Sequence, residues 1–235
     1  MDLLDRFAED PGQGALFLDV DGVLAPIVPR PEDARVPEET RAELRRLNER
    51  YALVACISGR ASAEAQRIVG ISELVYVGNH GLELDSEAAG WGERLQQFLA
   101  DVAWPATENK QLTASLHYRG SQDESAAHAA LEEVKKRAEL EGFVARFGRK
   151  VLEVLPRLDV NKGTAVRQLL AERNLSRALY AGDDTTDLDA FRALDGLDVS
   201  LRVAVTSEEG PAELREAADL TVDLPEELLA ILRRL

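Results

Sequence analysis

Between residues 179 and 191 the chain reads LYAGDDTTDLDAF, and four aspartates, Asp183, Asp184, Asp187 and Asp189, fall within seven residues. The chain as a whole carries a formal charge of −15 over 235 residues. Carboxylates this close repel one another unless a cation sits among them. A divalent metal site would use them, since carboxylate oxygens suit Mg2+. The plainer alternative is a solvated acidic helix start, because aspartate is favoured at caps and in first turns.

Three other segments carry groups that complement such a site. LDVDGVL supplies Asp19, Asp21 and Gly22, ISGR supplies Ser58, Gly59 and Arg60, and VNKG supplies Lys162. A carboxylate can attack a phosphate monoester and form an aspartyl-phosphate, which divides one hard step into two. Two anions must first be brought together, so a metal and a lysine are needed to neutralise them. A second carboxylate two residues on can protonate the leaving oxygen and later activate water. Gly22 lets the backbone turn sharply beside the phosphoryl group, and Ser58 can donate to one of its oxygens. Singly these segments say little. A lone DxDG occurs in turns and calcium loops, although VLAPIVPR lacks the remaining ligands of an EF-hand, and SGR or NKG serve equally as loop and cap. Their fixed order is the signal.

The elements that must position these groups alternate. ALFLDV (15–20) reads as a buried strand, followed by Gly22 and the proline-rich turn APIVPRP. Residues 37–50 read as a helix with Pro37 at its start. ALVACIS, LVYVG, RALYAGD and LRVAV read as further strands; SAEAQRIV, KGTAVRQLLAERN and PEELLAILRRL read as helices. Strands apolar throughout and alternating with helices imply a doubly wound parallel α/β sheet covered on both faces. In such sheets ligands bind beyond the carboxyl ends of the strands, where Asp19, Ser58 and Asp183 fall.

The rhythm changes near residue 82. LTASLHYR alternates like a half-exposed strand, DESAAHAALEEVKKRAELEG reads as a long helix closed by glycine, and FVARFGRKVLEVLP reads as two short strands joined around Gly148. That is the pattern of a small α+β layer. The expected organisation is a core of residues 1–84 and 157–235 with an inserted cap at 85–156. The cap carries ENK (108–110) and HYR (117–119), donors and acceptors suited to sugar hydroxyls. Glu108 and Lys110 share one strand parity and His117 and Arg119 the other, so one regular strand cannot aim all four together. A bulge or turn is expected near Lys110–Leu112. Asn79 and His80 follow a strand end, where either a site border or a turn role fits. His128, among alanines and glutamates, reads as a surface residue.

Composition narrows the classes. Hydrophobic residues make up 45% and charged residues 30%, which suits a folded core and excludes a mainly disordered chain. The single cysteine, Cys56, excludes an internal disulfide and reads as an inert core thiol. The acidic balance argues against nucleic acid. The start MDLLDRFAEDPG lacks a basic flank and a long apolar run, and no segment is long enough to span a membrane. A soluble, cytoplasmic, monomeric protein acting on a small molecule is expected.

DVDGVL, SGR, NKG and GDDTTD together resemble the four motifs of the haloacid dehalogenase superfamily of phosphatases. The resemblance implies Asp19 as nucleophile, Asp21 as general acid and base, and Ser58 and Lys162 holding the phosphoryl group, with Gly22, Gly59 and Arg60 also at the substrate. It implies Mg2+ bound by Asp19, the Asp21 carbonyl and Asp183, with Asp184 and Asp187 in support. Val23 stands where that family often has threonine. GNHGLEL, TENK with HYR, RKVLEVLP and GDDTTDLDAF further resemble the trehalose-6-phosphate phosphatases, with Leu188 where glutamate is frequent. This implies that Glu108, Lys110, His117, Arg119 and Glu153 contact the sugar of trehalose 6-phosphate. Other readings are a phosphatase for sucrose phosphate or a glycosylglycerate phosphate, and a non-catalytic sugar-phosphate sensor. Response-regulator receivers use similar parts but are about half this length, with the acidic pair before the phosphorylated aspartate. Asp21, a base able to hydrolyse a phosphoenzyme, argues against any stable switch.

Overall fold

A strand buried on both faces needs hydrogen-bonded neighbours on both edges and apolar cover above and below. β1 (Gly14–Leu18) has both, with every residue buried. It pairs in parallel with β2 (Leu53–Ile57) on one side and β8 (Arg177–Gly182) on the other. With β3 (Val75–Val77), β9 (Val199–Val205) and β10 (Leu220–Val222), these form a six-stranded parallel sheet in the order β10-β9-β8-β1-β2-β3. The computed structural model describes residues 2–28, 30–148, 150–206 and 210–235. Pro29 of APIVPRP and Arg149 of FVARFGRKVLEVLP lie outside them.

Alternation along the strands sends side chains to two helical layers. Leu16, Leu18, Val54, Cys56, Leu179 and Ala181 share a core with Leu4 and Phe7 of α1 (Leu3–Ala8), Leu44 and Leu47 of α2 (Glu38–Arg50), and Leu228 and Leu232 of α9 (Pro225–Arg234). Tyr180, one residue out of step, meets Phe191 of α7 (Asp187–Ala193), with ring centroids 6.0 Å apart. α7 packs on α6 (Lys162–Arg173) and on α8 (Ala212–Ala217). Cys56 is fully buried and its thiol is pushed well above its usual range, chiefly by burial. α3 (Ser62–Val69) closes on Gly70, whose φ of 72° provides the left-handed cap.

The strand order reverses at β1. The chain first winds to β2 and β3, then returns to β8, β9 and β10 on the other side. A topological switch point is where an open parallel sheet leaves a crevice at its carboxyl edge. The chain divides into two compact units, residues 1–81 with 160–235, and residues 82–159.

The second unit has its own core. α4 (Ala88–Val102) and α5 (Glu124–Leu140) accompany a four-stranded antiparallel sheet of β4 (Thr107–Asn109), β5 (Ala114–His117), β6 (Val144–Gly148) and β7 (Val151–Leu155), in the order β4-β5-β7-β6. Leu95, Phe98, Leu116, Leu131, Phe143, Leu152 and Val154 fill it. Asp123 caps α5, its carboxylate accepting from Ser125 N at 3.0 Å and Ala126 N at 2.9 Å. His128 is not a plain surface residue: its ring stacks on Phe147 at 4.3 Å, with Tyr118 edge-on at 5.5 Å. Nor does β5 alternate in exposure. Ser115 is buried with its neighbours, because β5 lies between β4 and β7 and the register sets Ser115 opposite both Glu108 and Glu153. No helix among the described residues is long and apolar enough to cross a membrane.

Candidate active site

The ladder between β1 and β8 continues one step beyond β1, where Asp19 N donates to Ala181 O of β8 at 3.0 Å. This bond brings the residues after both strands to the same edge. Lys162, the first residue of α6, closes the group: Nζ lies 2.7 Å from Asp19 Oδ2 and 2.7 Å from Asp187 Oδ1. Asn161 fixes where that helix begins, through a reciprocal capping box with Thr164. Asp187 is fully buried; Oδ1 also accepts from Tyr180 Oη at 2.6 Å, and Oδ2 from the amides of Asp183 and Asp184, each at 3.0 Å. Every oxygen of Asp187 is therefore spoken for within this network.

Two glycines make room for these carboxylates. A Cβ on Gly22, whose φ is 78°, would come within 2.1 Å of Asp183 Oδ2. One on Gly182 would come within 2.4 Å of the Asp187 carboxyl carbon. A side chain at either position would force these carboxylates to shift, and at Gly22 it would also strain the left-handed backbone.

The electrostatics follow from burial. Burial pushes Asp19 up to about 7; Lys162 pulls it back and Asp187 pushes it up again. Asp183 is raised to about 8, first by burial and then by Asp19 and Asp187. Burial alone would lower Lys162, but Asp19 and Asp187 together outweigh it and hold the ammonium above its ordinary range. One lysine thus serves two buried carboxylates while a third, Asp183, is left against them. Oxygen atoms of Asp19, Asp183 and Asp187 all lie within 4.8 Å of one another. Hard oxygen donors with a surplus of negative charge suit a hard divalent cation.

The remaining expected residues divide. Asp21 is held by Arg60, with Nε donating to Oδ2 at 2.7 Å and Nη2 to Oδ1 at 2.8 Å. Ser58 is buried at the end of β2; its Oγ accepts from Arg60 N at 3.1 Å. Asp184 is exposed, its carboxylate accepting from Thr185 N at 2.7 Å, and its charge adds to the rise of Asp183. Asp189 pairs with Arg192 at 2.9 Å. Asn79 and His80 take positive φ, 51° and 56°, and their amides donate to Arg60 O at 2.8 Å and Ser58 O at 2.9 Å. They tie down the loop that carries Ser58 and Arg60. A Cβ on Gly59 would lie 2.7 Å from the His80 ring.

In the second unit a turn separates β4 from β5: Gln111 has φ 71° and Lys110 N donates to Thr113 O at 2.9 Å. The turn reconciles the two parities. Glu108 pairs with Ser115, so Glu108 and His117 share a face. His117 Nε2 lies 3.3 Å and Lys110 Nζ 3.8 Å from Glu108 Oε2. Glu153 joins that face opposite Ser115 and is reached by Arg146 Nε at 2.8 Å. Arg119 lies beyond the end of β5, exposed in a turn, and contributes to the low carboxyl of Glu124, which Lys150 chiefly sets.

A family model described as Trehalose-phosphatase matches residues 17–223, from β1 to just beyond β10. The chain belongs to the trehalose-phosphatase family. A rice (Oryza sativa subsp. japonica) protein of this kind, "Probable trehalose-phosphate phosphatase 3", is 31% identical over 258 residues, covering 94% of this chain and 68% of the other. A crystal structure of a trehalose-6-phosphate phosphatase related protein superposes with a TM-score of 0.69 at 25% identity, over 93% of this chain and 95% of that one. A haloacid dehalogenase-like hydrolase from Bacteroides thetaiotaomicron gives 0.65 at 13% identity, over 94% and 98%, a likeness of fold alone. The fold is the haloacid dehalogenase-like α/β type expected from the four motifs.

Two features of this family member escaped the sequence reading. Tyr180 donates to Asp187, and Arg60 clamps Asp21. The first had a signal, since a tyrosine in an otherwise apolar buried strand needs a partner for its hydroxyl.

Proposed function

We propose that the protein is a Mg2+-dependent phosphatase that hydrolyses trehalose 6-phosphate to trehalose and phosphate through an aspartyl-phosphate on Asp19. The observation that carries this is the buried Asp19–Lys162–Asp187 network at the sheet's switch point, with Asp183 beside it, in a chain of the trehalose-phosphatase family.

Asp19 attacks phosphorus while Asp21 gives a proton to the departing sugar oxygen. In the second half Asp21 takes a proton from water, which attacks the aspartyl-phosphate and returns the Asp19 carboxylate. Lys162, Ser58 and the amides near Gly22 and Gly59 hold phosphoryl oxygens, and Asp187 fixes Lys162 from behind. Asp19, Asp183 and the Asp21 carbonyl would hold Mg2+, supported by Asp184 and Asp187; the bound ion supplies charge neutralisation for the meeting of two anions. Glu108, Lys110, His117, Arg119 and Glu153 select the sugar. A cytoplasmic location belongs to the same reading.

Phosphate release from trehalose 6-phosphate with Mg2+, beside EDTA and Asp19→Asn controls, tests it. Release lost in both controls is the expected result. Release only from another sugar phosphate would overturn the sugar assignment, and none from any phosphate ester would turn the reading to a sensor.

A further inference from the structure

Asp21 has acid and base duty in the reaction above, yet both its oxygens are held by one side chain. Arg60 spends Nε and Nη2 on Asp21, at 2.7 and 2.8 Å, and Nη1 on Glu64 Oε1 at 2.5 Å. Its backbone is fixed too: the amide donates to Ser58 Oγ at 3.1 Å and the carbonyl accepts from Asn79 N at 2.8 Å. The Arg60 side chain is 15% exposed, against 46% for Arg67, which also neighbours Glu64 from α3. A planar fork locked between two carboxylates, on an anchored loop, is a device for aiming one of them.

The direction of that aim follows from counting hydrogen-bond capacity. A carboxylate offers about four lone-pair sites. The fork uses two and leaves sites to accept a proton from water. A protonated Asp21, the form that starts the first half-reaction, carries no charge to pair with the guanidinium and holds the fork more weakly. The clamp therefore favours the carboxylate that starts the second half-reaction.

We infer that Arg60 is the residue that positions Asp21 for hydrolysis of the aspartyl-phosphate, with Glu64 anchoring it, and that it is not a phosphate ligand. In that step the water oxygen forms its bond to phosphorus as Asp21 takes the water proton. The bond between phosphorus and the Asp19 oxygen breaks, and its electron pair returns to the Asp19 carboxylate. Loss of Arg60 therefore falls on the second half-reaction and spares the first.

The inference rests on the phosphatase reading, and following trehalose and phosphate separately distinguishes the two. Rapid-quench kinetics with trehalose 6-phosphate and Mg2+ would compare the parent protein with Arg60→Gln, Arg60→Lys and Glu64→Gln. For Arg60→Gln a burst of trehalose approaching one per enzyme is expected, followed by slow phosphate release. kcat should fall about tenfold or more while kcat/KM, which reports steps through phosphoenzyme formation, stays within about twofold. Arg60→Lys, which keeps the charge without the fork, should fall between, and Glu64→Gln should lose about two- to threefold in kcat. Should Arg60→Gln fail to fold by circular dichroism, the other two variants carry the same comparison. A raised KM at unchanged kcat would make Arg60 a phosphate ligand and overturn the inference. Trehalose and phosphate slowed together, with no burst, would overturn it as well. No release of either product by the parent protein would sink the phosphatase reading itself.

Discussion

The two units hold their polar residues by opposite means. At the switch point of the parallel sheet, Asp19, Asp187 and Lys162 are almost fully buried and interlocked at 2.7 Å, with Tyr180 and two amides completing the shell of Asp187. On the antiparallel sheet, the side chains of Glu108, His117 and Arg146 are 47%, 46% and 59% exposed, and the contacts of Glu108 are longer, at 3.3 and 3.8 Å. Burying charge costs several kcal/mol per ion, so the first arrangement exists only because every group is paired. An exposed pair costs little and gains little. The contrast matches the division of labour in the proposed reaction. Phosphoryl transfer demands preorganised charge, whereas sugar hydroxyls can be met by residues that keep some freedom.

The strongest way to break this contrast is at the nucleophile. Asp19→Asn keeps the shape of the side chain and removes its nucleophilicity, and should lower phosphate release about 10⁴-fold or more. Activity within tenfold of the parent would place the chemistry elsewhere. Next is Lys162→Met, which leaves Asp19 and Asp187 facing one another in a buried site. A loss of about 3–5 kcal/mol is expected, as for any buried pair deprived of one member. Urea titration at unchanged m-value would measure it, and a loss under about 1 kcal/mol would mean that the network is not a structural keystone. On the other unit, Glu108→Gln should raise KM for trehalose 6-phosphate about tenfold and move stability by less than about 0.5 kcal/mol. An unchanged KM would remove Glu108 from the sugar site.

How far this was legible in the sequence differs between the units for the same physical reason. In the first, β1, β2 and β8 are buried on both faces, so they appear as unbroken apolar runs and their ends can be read off. The residues after them, Asp19, Ser58 and Asp183, were therefore legible as belonging to one edge. In the second unit, the parity conflict between Glu108 and His117 foretold the turn at Gln111. α4 was missed. Its stretch carries Gly90 and Gly92, each costing roughly 1 kcal/mol in a helix, and it is held by the burial of Leu95 and Phe98 instead. Gly92 also admits Leu112, which a Cβ would meet at 3.2 Å. The Arg60–Asp21 clamp joins residues 39 apart in the chain, and no local pattern encodes such a contact.

A smaller effect separates the two units by pH. Without metal, the carboxyls of Asp19 and Asp183 lie at about 7 and about 8, raised from 3.8. Between about pH 4 and pH 8 the folded protein therefore keeps protons that the unfolded chain has released. Stability falls as pH rises through that window and levels off above it. A cation held by the ionised carboxylates offsets the loss, so Mg2+ should raise Tm by several degrees at pH 8 and by little at pH 5. Equal shifts at both values would mean that the metal binds away from these groups.

The smallest expected effect tests the exposed side of the contrast. Arg146 reaches Glu153 across β6 and β7 at 2.8 Å, the same distance scale as the buried Lys162 pairs, but the two side chains are 59% and 35% exposed. Solvent screens the attraction, and holding two long side chains in one geometry costs entropy. Arg146→Ala should therefore change stability by less than about 0.5 kcal/mol, against several for Lys162→Met. If Glu153 contacts the sugar, its release from Arg146 should still shift KM for trehalose 6-phosphate by about two- to threefold, because an unheld carboxylate must be ordered on binding. A stability loss above about 1.5 kcal/mol would show that short distance, not burial, decides what these pairs contribute, and the comparison between the two units would lose its basis.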